Sequence, residues 1–138
     1  MPRRDTFHDI VIAALVKDGW IITHDPYPLK FGEEDLQIDL GAEAPLGAEK
    51  EGRRIAVEIK SFQGRSEMTE LERAIGQYTV YRTVLEQQDP DRLLFLAVPA
   101  KVLVDVFEDP LGKLLIQSGI AKVMGFDPAK EEIIRWLP

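Results

Sequence analysis

The sequence predicts a three-layer α/β domain built around a central mixed sheet. Its elements read in the order α-β-β-β-α-β-α-β-β. "RLLFLAV", residues 92–98, is a continuous apolar run of the kind buried on both faces of a sheet. Two earlier segments, 36–40 and 55–62, place apolar residues on one parity and charged or polar residues on the other.

The first helix is expected from residue 5 or 6 to residue 18. Phe7, Ile10, Val11, Ala14 and Leu15 recur at helical spacing, and Gly19 supplies a stop. Residues 20–24 read as a strand, and the Pro-rich, acidic stretch 25–35 as a loop that includes the solvated run Glu33-Glu34-Asp35. In 36–40, Leu36, Ile38 and Leu40 are expected to face one way, Gln37 and Asp39 the other. A shorter strand in 46–50, with Glu49 in solvent, would turn through Glu51-Gly52 into the strand from Ile55. After a polar loop, a long helix is predicted from Ser66 or Thr69 to Glu86. Thr69 and Glu72 form its capping box, and Leu71, Ile75, Tyr78, Arg82 and Leu85 its stripe. Beyond the apolar run, 100–107 and 110–119 read as short helices. Strands at 120–126 and 131–137, joined by a turn at 127–130, close the chain. Trp20 and Trp136 read as core anchors, and His24 as a cap for the turn it enters.

No repeat or linker divides the 138 residues, which read as a single domain, 1–138, with enough chain for one core. There is no cysteine, so disulfides and thiolate metal sites are excluded, and a reducing cytoplasmic setting fits. No apolar stretch is long enough for a membrane span, and the basic start leads straight into an amphipathic pattern unlike a signal peptide. Net charge is -7, from 24 acidic and 17 basic residues, which argues against binding nucleic acid by charge alone. It leaves room for acidic groups that hold divalent ions, and for partners that supply basic surface. No Gly-rich phosphate loop, Ser/His/Asp order or Cys/His zinc spacing is present.

The chemistry concentrates in "IAVEIKSF", residues 55–62. Glu58 and Lys60, two apart on a strand, share a face that Ile55, Val57 and Ile59 do not. Such a pair on a solvated edge is commonplace, so the carboxylate on the preceding strand matters. If the two strands are neighbours, Asp39, Glu58 and Lys60 converge. Crowded carboxylates repel unless a proton or cation sits between them. Mg²⁺, or Mn²⁺, takes hard oxygen ligands of this kind. Lys60 would then orient an attacking water or stabilise charge on a phosphate. Glu43 shares the parity of Asp39 and is a rival or additional ligand. His8 is either a structural histidine or a further ligand. Arg65 and Ser66, where loop meets helix, either receive a DNA phosphate at the helix N-terminus or merely cap it. Gln77 and Tyr81, four apart, occupy one face of the long helix.

Asp39, Glu58-Ile59-Lys60 and then Gln77-Tyr78-Thr79-Val80-Tyr81 together resemble the PD-(D/E)xK, restriction-endonuclease-like superfamily, in its branch of RecB-type and related nucleases. No proline precedes Asp39, a departure from the motif. The resemblance implies a restriction-endonuclease-like α/β/α fold, with Gln77 and Tyr81 facing the active site. It also implies a first-helix histidine, here His8, able to serve as a metal ligand. A resemblance covering nearly the whole chain is carried by "DTFHDIVIAALVKDGWIITHDPY", "DLGAE", "VEIKSFQGRSEM", "AIGQY" and "EEIIRW". These are similar to the XisH family, the fdxN element excision controlling factors of cyanobacteria. That likeness implies a role in programmed excision of a DNA element, with a site-specific recombinase and a second controlling factor as partners. Superfamily members often dimerise, so a homo-oligomer is a further expectation. Two functions follow: a Mg²⁺- or Mn²⁺-dependent DNA endonuclease, or a non-catalytic accessory protein that keeps the fold and works through those partners.

Overall fold

The computed structural model describes residues 6–44 and 53–138. The strand expected at 46–50, the turn at 51–52 and Glu49 lie outside the described residues. In chain order the elements are α1 (His8–Lys17), β1 (Ile21–His24), β2 (Tyr27–Phe31), β3 (Glu34–Ile38), β4 (Leu40–Ala44) and β5 (Arg53–Ile59). They continue with α2 (Glu67–Gln88), β6 (Arg92–Pro99), α3 (Ala100–Val102), a π-helical turn (Leu103–Phe107), α4 (Pro110–Gln117), β7 (Val123–Asp127) and β8 (Glu132–Leu137). No helix among the described residues is long and apolar enough to cross a membrane.

Six strands form one mixed sheet in the order β1-β4-β5-β6-β7-β8. β5, β6 and β7 are parallel, and antiparallel neighbours flank them on both sides. The period of two in β5 and β6 sorts their side chains into two cores. Ile55, Val57, Ile59, Phe95 and Ala97 pack with Val11 and Leu15 of α1 and with Trp20. Ala56, Leu94, Leu96 and Val98 pack on the other face with Leu71, Ala74, Tyr78 and Leu85 of α2 and with Phe107. The result is the expected three-layer α/β/α arrangement. Trp20 is buried and Trp136 half-buried, their rings 5.8 Å apart, with Phe95 edge-on to Trp136 at 4.8 Å.

Local chemistry sets the element ends. Gly19, at φ +93°, ends α1 in a left-handed conformation that only glycine adopts without cost. Ser66, not Thr69, caps α2: its hydroxyl accepts from the Thr69 backbone N–H at 3.2 Å. Asp127 holds the last turn by accepting from the backbone N–H groups of Ala129 and Lys130. Tyr78 fixes α2 to the sheet, donating to the Leu94 carbonyl at 2.8 Å and accepting from the Lys122 N–H at 3.1 Å.

Two expectations are corrected. Part of the stretch read as a loop is a two-stranded hairpin, β2 paired with β3, in which Tyr27 faces Ile38 and Leu29 faces Leu36. Pro28 disguised it, although proline is tolerated on such an edge, and Gly32 at φ +60° makes the turn. Second, 36–40 is not one strand. The chain leaves the hairpin at Ile38 and enters the main sheet at Leu40, so Ile38 joins the α2 core while Leu40 joins the α1 core. The alternation predicted through Leu36, Ile38 and Leu40 breaks at Asp39.

Candidate functional site

Asp39 sits at that break. Leu40 is opposite Val57 in the β4–β5 register, so the ladder stops one residue short of Asp39 and Glu58. Their side chains take over where the backbone pairing ends. The Asp39 carboxylate (Oδ2) accepts from the Ile59 N–H at 2.7 Å, and Glu58 (Oε1) accepts from the Asp39 N–H at 3.2 Å. Each acid thus fastens the other's strand. Glu58 also pairs through Oε2 with Lys60 Nζ at 3.5 Å.

These groups are poorly hydrated. Glu58 is 5 % exposed. Burial, followed by the charge of Asp39, pushes its carboxyl up to about 8, against the pull of Lys60. Burial also raises Asp39, with the Ile59 N–H opposing. The pair therefore favours a bound proton, or a cation in its place. Tyr81 projects from α2 toward the same acids. It is 9 % exposed and accepts a hydrogen bond from Gln77 Nε2 at 2.8 Å. Burial and then the charge of Glu58 hold its hydroxyl protonated above the ordinary tyrosine range.

A cavity of about 670 Å³ opens above them. Asp39, Glu58, Ile59, Lys60 and Ser61 line it from the sheet, and Gln77 and Tyr81 from α2. Pro26, Asp35, Leu36 and Gln37 form its hairpin side, with Thr6 and Gln63 completing the rim. Beyond Lys60 and Ser61, the chain turns away at Phe62, which adopts φ +54° and packs its ring edge-on to Phe107 at 6.3 Å.

Asp39, Glu58, Lys60, Gln77 and Tyr81 are thus brought to one cavity. Glu43 is not. Four residues along β4, its carboxylate faces the Arg92 guanidinium at 3.5 Å. There Arg92, its side chain 3 % exposed, also binds Asp89 and the Ile55 carbonyl and lies over the Tyr27 ring. Arg65 is exposed and Ser66 is committed to capping α2; neither lines the cavity. His8 is buried, its Nε2 2.8 Å from Asp25 Oδ1, while its Nδ1 has no hydrogen-bond partner among the described residues. It lies close enough to Asp39 for its charge to act on that carboxyl. His24 meets the Thr23 hydroxyl and rests edge-on against Tyr27. Its ring covers Gly41, where a Cβ would come within 2.9 Å of Nδ1.

Among the described residues, no group of three or more His, Cys, Asp or Glu is placed to hold a metal ion. Two crowded carboxylates nevertheless fit Mg²⁺, which commonly takes one or two protein carboxylates and completes its shell with water and phosphate oxygens. The pocket-lining residues missed from the sequence, Asp35, Gln37 and Gln63, had a partial signal. Gln37 shares the parity of Asp39, and 27–31 alternates buried with exposed positions before the glycine turn.

No curated protein matches the chain. The family model described as XisH protein matches residues 1–134. A crystal structure of an XisH family protein from Nostoc punctiforme PCC 73102 is 37% identical and superposes with a TM-score of 0.86, covering 97% of this chain and 100% of that one. A crystal structure of an fdxN element excision controlling factor protein from Anabaena variabilis is 38% identical with a TM-score of 0.85, covering 98% and 100%. With the family model and two solved structures matching almost end to end, the chain belongs to the XisH family.

Proposed function

We propose that the protein is a metal-dependent phosphodiesterase of the PD-(D/E)xK class that cleaves DNA during excision of a genetic element. The observation that carries this reading is the reciprocal bonding of Asp39 and Glu58 beside Lys60, at the floor of an open cavity. Such crowding of desolvated acids has no evident value to a scaffold, since an apolar pair would pack at lower cost.

Asp39 and Glu58 are the residues that would hold Mg²⁺ or Mn²⁺; His8 pairs with Asp25 and is not grouped with them as a third ligand. The cation supplies positive charge where the scissile phosphate gains negative charge. Lys60, held at Glu58, orients the attacking water and stabilises the developing charge. Tyr81, kept protonated, donates its hydroxyl toward the acids or the phosphate, and Gln77 fixes that hydroxyl in place. DNA is the substrate in this reading, in keeping with the excision role printed for the Anabaena variabilis relative, and a site-specific recombinase and a second controlling factor are its proposed partners.

The accessory reading draws support from charge. With a net charge of -7, and with Lys60 the one cation lining the cavity among the described residues, the site has little of its own with which to grip phosphates. The test is cleavage of plasmid and single-stranded DNA by purified protein in Mg²⁺ or Mn²⁺, alongside Glu58→Ala and Lys60→Ala. Cleavage lost in EDTA and in both variants is the expected result. Equal inertness of all three, with and without a partner controlling factor, would establish the accessory function.

A further inference from the structure

The cavity is built unlike a surface for duplex DNA. Duplex binding rests on cations that neutralise phosphates, and the double helix presents one charge per about 1.7 Å of axis, twice the density of a single strand. Among the described residues, three acids, Asp35, Asp39 and Glu58, line the cavity with one lysine, and the remaining polar groups are neutral. Gln37 on β3 and Gln63 after β5 are exposed, and their side chains make no hydrogen bond among the described residues. Amide side chains pair with base edges, which offer donors and acceptors but no charge. A volume of about 670 Å³ matches pockets that enclose one small ligand. The β2–β3 hairpin walls one side with Pro26, Leu36 and Gln37.

We infer that this pocket takes an unpaired nucleotide of a single-stranded segment, with the base against the hairpin wall and its edge read by Gln37 and Gln63. The phosphate then lies over Asp39, Glu58 and Lys60. This inference rests on the phosphodiesterase reading for its chemistry, and adds the substrate class. Enzymes that act on an extruded base likewise read its pairing edge with the side chains of a pocket.

The test uses a fluorescein-labelled 20-nucleotide single strand and the blunt duplex of the same sequence, with the full-length protein in Ca²⁺. Anisotropy should show the single strand bound about tenfold more tightly than the duplex. A 2-aminopurine placed in the strand should change its emission on binding. Gln37→Ala combined with Gln63→Ala should weaken single-strand binding about fivefold or more, with an unchanged melting temperature because both positions are exposed. Equal or tighter binding of the duplex, or a double variant that binds as wild type does, would overturn the inference, whether or not DNA is cleaved. Single-strand preference without cleavage in Mg²⁺ or Mn²⁺ would uphold the pocket and remove the hydrolytic reading. Binding to neither DNA would remove both.

Discussion

Glu58, central to the proposed chemistry, also governs the response to pH. Its carboxyl, raised to about 8, holds a proton in the folded protein across a range where the unfolded chain, near 4.5, has released it. The folded state therefore binds more protons in that window, and stability falls as pH rises from about 4.5 through about 8. The shift of Asp39 acts in the same direction. Melting temperatures of the metal-free protein between pH 5 and 9 should show the decline, and Glu58→Gln should flatten it. A decline as steep in the variant would place its origin elsewhere. Lys60 sits half-exposed beside Glu58, so Lys60→Ala should lower cleavage by about a hundredfold, measured as initial rate, with little change in melting. Both residues were legible in the sequence because the segment 55–60 is apolar on one parity and carries them on the other, although β5 itself ends at Ile59. Asp39 was legible as a residue but not in its setting, since alternation through 36–40 gave no sign that the chain changes sheets there.

The long helix and the sheet edge depend on buried polar fastenings that periodicity does not disclose. Tyr78 reads simply as part of an apolar stripe, yet its hydroxyl satisfies both the Leu94 carbonyl and the Lys122 N–H. Tyr78→Phe should therefore cost about 1–3 kcal/mol in urea unfolding, because the two backbone groups lose their partner in the core. Arg92 reads as the polar start of an apolar strand. In the fold it joins β5, β4, the end of α2 and the hairpin through Ile55, Glu43, Asp89 and Tyr27. Removing it takes the side-chain donor from the Ile55 carbonyl, leaves Arg54 as the cation on Asp89, and loosens the hairpin. Arg92→Ala should lower stability by about 3–5 kcal/mol in the same assay, and an effect below 1 kcal/mol would contradict the keystone role. The hairpin escaped notice because Pro28 and the run of acids after Gly32 imitate loop composition, although Tyr27 and Leu29 carry the alternation of a strand.

Layer order and the central mixed sheet were legible because they follow from periodicity, whereas the second, two-stranded sheet was not. Which residues line the cavity was not, because that depends on how the hairpin folds back over the sheet. The molecule as a whole carries a charge of -7, and the proposed site crowds two of its acids beside one lysine. A divalent cation that binds the folded form alone should raise the melting temperature, the stabilisation growing with the logarithm of its concentration and reaching about 2.7 kcal/mol at a hundred times its dissociation constant. EDTA should reverse the rise, and Asp39→Asn should abolish it. A rise that persists in Asp39→Asn would assign the ion to another acidic patch. Because the cation displaces a proton, its affinity should increase with pH, opposite to the stability of the metal-free form.

The hairpin ends at Ile38, and the very next residue is Asp39. No spacer separates the wall proposed to select what enters from the acid proposed to act on it. Lengthening, shortening or tilting the β-ribbon must drag that carboxylate along, so relatives with a remodelled entrance are expected to compensate at Glu58 and Ile59 as well. Changing guest preference without touching hydrolysis should therefore be easier by side-chain substitution within the ribbon than by altering its length.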